Sequence, residues 1–158
     1  MLDSSAITMP SDVKSIVVEY DSSRTASGSG QFNNVEFRTS TGLRWRFDDV
    51  NWSGIGAGNR SFRSGLYSVP FFSLVNGTTP NYVDQIVPLG LGLFKTRLTV
   101  RDGNVEWVET NLGNNSSTTV SRALPSFTIA SLVGAGVTAY ETDGGGTWID
   151  NVRIQCLR

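Results

Sequence analysis

A chain of 158 residues with 39% hydrophobic content can enclose a core without a metal or disulfide, since this length buries roughly two-thirds of the unfolded surface. Only 17% of its residues are charged, the net charge is -1 and its lysines are Lys14 and Lys95, so the basic stripe that nucleic acid requires is missing. The absence of His removes Ser-His-Asp and Cys-His nucleophile systems and His-based zinc sites; Met1 to Ser5 shows no secretory signal, and no apolar run is long enough for a membrane span.

Apolar and polar residues alternate along the chain with no helical period, which predicts an all-β fold. Residues 1–13 are polar and read as an N-terminal arm of a single domain spanning 1–158. Ser15 to Tyr20 is the first strand, with Ile16, Val18 and Tyr20 on one face, and the polar segment Asp21 to Gly30 ends it. Phe32 to Arg38 and Leu43 to Val50 form a pair joined by Thr39-Ser40-Thr41-Gly42. Leu43, Trp45 and Phe47 face the core there, and Arg44, Arg46 and Asp48 face out. The run Gly54-Ile55-Gly56-Ala57-Gly58 opens no helix, as a dinucleotide-binding loop must, and reads as a connection. Gly65 to Leu74 and Val83 to Val87 are further strands.

Arg97 to Glu109 is the clearest hairpin, turning at Asp102-Gly103, a pair that accepts the positive φ angles of a type I′ turn. A two-residue loop sets Arg101 opposite Asn104, Val100 opposite Val105, Thr99 opposite Glu106 and Leu98 opposite Trp107. Asn111 to Thr119 is a polar loop, and Val120 to Ala123 and Phe127 to Val133 are strands. Pro70, Pro80, Pro88 and Pro125 belong at edges or in connections. Many short strands divided by turn signals predict an antiparallel two-sheet β-sandwich, or jelly roll.

The last stretch, Val137 to Leu157, reads as two strands joined by Asp143-Gly144-Gly145-Gly146. Strict alternation places Trp148, Asp150, Val152, Ile154 and Cys156 on one inward face, with Cys156 as a small core residue and Trp45, Trp107 and Trp148 in the core. Asp150 then sits in an apolar row, where a carboxylate must accept hydrogen bonds or coordinate a cation. A hard cation such as calcium wants several oxygen ligands, and Glu19, Asp21, Asp143 and Asn151 are its available companions. No cofactor is required, and both accounts of Asp150 stay open.

Candidate chemistry is sparse. Glu106 and Glu109 have odd spacing, which puts them on opposite strand faces where they cannot flank one glycosidic bond; they read as solvated or salt-bridged. Aromatic faces beside amides and carboxylates grip sugars by stacking and hydroxyl hydrogen bonds. Trp52 with Asn51, and Tyr82 with Asn81 and Asp84, are the candidate glycan contacts; the competing reading has Trp52 capping the core.

Taken together, the alternating strand, the glycine turn and Trp148-Ile149-Asp150-Asn151-Val152-Arg153-Ile154 resemble the closing strand of concanavalin A-like and carbohydrate-binding-module jelly rolls. Leu98-Thr99-Val100-Arg101-Asp102-Gly103-Asn104-Val105 is similar to the central hairpin of laminin-G-like sandwiches. The resemblance implies a sugar-binding or surface protein and, for Asp150 with Glu19, a structural calcium site. It does not extend to the Glu-X-Asp-X-X-Glu strand motif of the family's glucanases, which is absent.

Two readings of function follow. One is a non-catalytic subunit on the surface of a viral particle, as capsid decoration or tail, in a homo-oligomeric assembly that contacts surface glycans. The other is a carbohydrate-binding module or lectin domain of a larger enzyme or adhesin. A polysaccharide lyase or glycosidase is a third, with no catalytic set to support it. The expected location is the virion surface or the extracellular space.

Overall fold

The computed structural model describes residues 9–24, 31–51, 59–68, 73–74, 85–141 and 148–158. The described residues form eleven strands in two antiparallel sheets with no α-helix, as the alternation predicts. In chain order the strands are β1 (Ser15–Arg24), β2 (Gln31–Thr39), β3 (Arg44–Asn51), β4 (Asn59–Ser68), β5 (Ser73–Leu74) and β6 (Gln85–Pro88). They continue as β7 (Gly92–Arg101), β8 (Asn104–Asn111), β9 (Ser117–Ala123), β10 (Leu132–Glu141) and β11 (Ile149–Leu157). One sheet has the order β11-β1-β7-β8-β9; the other runs β10-β2-β3-β4-β5, with β6 also on β4.

The core between the sheets follows the inward parity of each strand. Ile16, Val18, Leu98, Val100, Val105 and Trp107 of the first sheet meet Val35, Phe37, Trp45, Phe47 and Phe62 of the second. Phe47 stands edge-on to Trp107 at 5.9 Å between ring centroids, and Trp45 edge-on to Phe127 at 5.4 Å, arrangements that ring quadrupoles favour. Phe127, Ile129 and Leu132 close one end of the sandwich. A 3-10 turn, Ile129–Ser131, stands in place of the strand expected at Phe127 to Val133, and β10 begins only at Leu132.

The β7–β8 hairpin has the register expected of it, from Leu98 opposite Trp107 to Arg101 opposite Asn104. Its turn is not type I′, however. Gly103 alone takes a positive φ, 72°, while Asp102 keeps a negative one. Asp102 instead accepts a hydrogen bond from the Ile129 N–H at 2.7 Å, and Gly103 N–H donates to Phe127 O at 2.9 Å, so the turn is latched to the segment that closes the core.

The last strand corrects the sequence reading most. Glu19 pairs with Arg153 and Asp21 with Asp150, so two residues of β11, Asn151 and Val152, oppose one of β1, Tyr20, a bulge in which Asn151 takes a φ of 53°. The bulge flips the parity: Ile154 and Cys156 share the inner side with Val18 and Ile16, while Asp150 joins Asp21 on the outer side. Because β11 is also the sheet's edge, Trp148 is 43% exposed, Ile154 40%, and Cys156 and Asp150 lie in solvent. Residues 9–14 run beside this edge, with Met9 Sδ 3.8 Å from Cys156 Sγ and Lys14 N–H bonded to Leu157 O at 2.7 Å.

Candidate functional site

Inward parity continues past the apolar core towards the end where β1, β3 and β8 finish, but there the residues become polar. Tyr20, Ser22 and Arg24 follow Ile16 and Val18; Asp49 follows Trp45 and Phe47; Arg60 precedes Phe62; Glu109 follows Trp107. All are buried. Arg24 pairs with Asp49, and Arg60 Nε lies 3.8 Å from Asp49 Oδ1 and 3.5 Å from Glu109 Oε1. The Arg60 guanidinium stacks 4.4 Å above the Phe94 ring. Burial, reinforced by the neighbouring Asp49 charge, raises Glu109 to about 8 against the two guanidiniums. Tyr20 is pushed up by burial and Asp49, and burial lowers Arg60. Glu109 is therefore not solvated but a buried carboxyl paired with Arg60. The cluster ties the two sheets together at this end.

The outer face of the six-stranded sheet is the stronger candidate. Cross-strand register sets Gly134 beside Arg38, Arg38 beside Arg44, and Arg44 beside Tyr67. The next rows are Gly136, Glu36, Arg46 and Gly65, then Asn34, Asp48 and Arg63. An outer face normally leaves its polar groups in water, yet Asn34 is 3% exposed, Asp48 6% and Tyr67 6%. At these three positions the side chains are covered, while Glu36, Arg38, Arg44, Arg46 and Arg63 are half-buried. Arg44 donates to Glu36 at 2.9 Å, Arg46 donates to Asp48 at 2.7 Å, and the Arg46 guanidinium lies 5.9 Å from the Tyr67 ring centre. Burial raises Asp48 to about 6 in spite of Arg46 and Arg63. A Cβ on Gly134 would come within 3.3 Å of the Arg38 guanidinium, which therefore lies on the strand backbone, whereas a Cβ on Gly136 would meet nothing within 4 Å.

Of the residues singled out from sequence, Trp52, Tyr82, Asn81 and Asp84 lie outside the described residues, and Asn51 is the last residue of β3, opposite Gln31. Glu19 and Asp150 are on the outer side of the other sheet. Glu19 is 3.9 Å from Arg97, and Asp150 Oδ1 accepts the Asn151 N–H at 2.7 Å, so the bulge employs this carboxylate as a hydrogen-bond acceptor. Asn151 Nδ2 also donates to Asp21 Oδ2 at 2.6 Å. A depression of about 170 Å³ here is lined by Glu19, Asp21 and Asn151 but also by Lys95 and Arg153, and no group of three metal-ligating side chains occurs among the described residues. These residues are brought together, but with cations among them.

Sequence reasoning missed Arg24, Asp49 and Arg60 in the interior and the grouping of Arg38, Arg46 and Arg63 outside. The signal was the parity itself, carried two residues beyond the apolar run and across three strands.

No protein-family model and no curated protein matches the chain. Among solved structures it is similar to the CBM2 module of the evolved Dit of Lactobacillus casei BL23 phage J-1, with a TM-score of 0.55, 12% identity and coverage of 88% of this chain and 59% of that one. It is also similar to the enzymatically active domain of tailspike protein 2 of bacteriophage CBA120, with a TM-score of 0.60, 12% identity and coverage of 98% of this chain and 23% of that one. The chain thus spans less than two-thirds of either structure. At such identity the likeness shows the fold alone, an antiparallel two-sheet β-sandwich.

Proposed function

We propose that the chain is a non-catalytic recognition protein on the surface of a bacteriophage particle, in tail or capsid decoration, that binds glycans as part of a homo-oligomeric assembly. The observation that carries the reading is the outer face of the six-stranded sheet, where the half-buried Arg38, Arg44, Arg46 and Arg63 stand on neighbouring strands at the spacing of about 4.8 Å that β-pairing imposes. Such rows present many hydrogen-bond donors to a polyhydroxylated chain with little conformational freedom left to lose. The phage origin of both structural neighbours supports the location.

A carbohydrate-binding module of a larger protein is the second reading, supported by the small share of the tailspike structure that the sandwich fills. Electron microscopy of particles labelled with an antibody to this chain, together with light scattering of the purified protein, separates the two: labelled virions and an oligomer support the first, a soluble monomer with unlabelled virions the second. A glycan array tests recognition itself. Signal lost in Arg46→Gln and retained in Arg101→Gln, on the other sheet, is expected; depolymerisation of the bound glycan would replace the non-catalytic reading.

A further inference from the structure

Resting on the homo-oligomeric part of that reading, we infer that β11 is the contact between subunits: it pairs antiparallel with β11 of a second copy about a two-fold axis at Ile154, which joins two five-stranded sheets into one. β11 is the edge of its sheet, and among the described strands only β1 pairs with it. An edge strand turns half of its N–H and C=O groups away from its neighbour, a template for another strand. Bulges, lysines, prolines and inward-pointing charges are the usual guards of such an edge. Here the bulge at Asn151 and Val152 guards the first half only, and Arg153 to Leu157 continues in regular register without lysine or proline. This half is apolar on its inner side. Val152, 47% exposed, Ile154, 40% exposed, and the exposed Cys156 form a row open to water.

The residues of this half fit a second copy of themselves. A two-fold axis normal to the sheet keeps inner sides with inner sides, and directly opposed residues point the same way, so self-pairing must be centred on a residue. Centring on Arg153 sets two guanidiniums opposite one another, and like charges so placed destabilise a sheet. Centring on Gln155 sets Arg153 opposite Leu157 and Val152 opposite Arg158, each guanidinium against an apolar side chain. Centring on Ile154 sets Ile154 opposite Ile154, Val152 opposite Cys156, and Arg153 opposite Gln155. Apolar then meets apolar on the inner side, and no like charges meet on the outer. Each copy covers the row that the other leaves in water, and Met9, whose Sδ lies 3.8 Å from Cys156 Sγ, extends the apolar strip at either end.

Light scattering of the full chain at rising concentration is expected to show a reversible dimer. Val152→Lys and Ile154→Lys each weaken it about tenfold or more, while Thr119→Lys on β9, the opposite edge of the same sheet, does not; near-wild-type circular dichroism and melting establish that the variants fold. Cysteine pairing reads the register. Val152→Cys, mildly oxidised with Cys156 in place, gives a covalent dimer on a non-reducing gel, because opposed residues fall within the roughly 4.4 to 6.8 Å between Cα atoms that a disulfide spans. The wild type does not, since the two Cys156 residues are about 13 Å apart in this register, and neither does Val152→Cys with Cys156→Ser. A dimer indifferent to both lysines, or one that Val152→Cys fails to cross-link, puts the contact elsewhere and overturns the inference alone. A full chain that stays monomeric at every concentration overturns the homo-oligomeric reading as well; if removing residues 1–8 then yields the dimer, the edge belongs to the chain's own N-terminus.

Discussion

Asp49 is the residue on which the polar end of the interior depends, because it is the carboxylate that both Arg24 and Arg60 approach. Removing it leaves two guanidiniums buried without that counter-charge. Breaking a buried pair from one side costs about 3 to 5 kcal/mol, whereas replacing both partners by apolar groups of similar volume is far less costly. Asp49→Ala should therefore lower stability in urea by that amount, and Arg24→Met with Asp49→Leu should recover most of it; a loss under 1 kcal/mol in Asp49→Ala would show the pair to be solvated. Of the strands carrying these residues only that of Asp49 was legible, within Leu43 to Val50; the expected strands end at Tyr20, before Arg24, and begin again at Gly65, after Arg60. Period-two alternation identifies a face but not its end: an apolar core predicts a strand that stops at Tyr20, although Ser22 and Arg24 keep the same parity.

The elements show why some registers are readable and others are not. The β7–β8 hairpin was read residue by residue because a two-residue turn leaves no freedom in the pairing. Its latch was not, since Asp102 bonds Ile129 across 27 positions and no local pattern announces it. Asp102→Ala should cost about 1 kcal/mol, with hydrogen exchange accelerated at the Ile129 amide and the strand register unchanged. In β11 one extra residue defeated the reading of everything before it, and the bulge has no sequence signature beyond an Asn able to take a positive φ. Since Asp150 there accepts its neighbour's amide and is exposed, Asp150→Asn should shift the melting temperature by no more than a degree or two, equally with and without chelator. A chelator-dependent difference would assign calcium to this edge.

At the scale of the whole molecule, two buried carboxyls, Glu109 in the interior cluster and Asp48 on the outer face, set how stability responds to pH. Glu109 titrates near 8 in the folded chain against 4.5 as the ordinary value, and Asp48 near 6 against 3.8, both chiefly through burial. Between the two values of each group the folded protein holds more protons than the unfolded chain, so raising pH favours unfolding. The contribution from Glu109 is complete below about 4.5 and lost as pH rises through 8; that from Asp48 is lost by about 6. Thermal unfolding should thus shift to lower temperature from pH 5 to 8.5, by a free-energy change on the order of a few kcal/mol. The two groups separate by window: Glu109→Gln keeps the fall below pH 6 but flattens the curve between 6 and 8.5, because a neutral amide fills the position of the protonated acid. Asp49→Asn moves the Glu109 midpoint downward, since the Asp49 charge is the second cause of its rise. A wild-type profile that is flat or rising from pH 6 to 8.5 would mean that the cluster is open to water, and the end of the sandwich beneath the β1, β3 and β8 termini would then be an accessible cleft rather than a sealed clasp between the sheets.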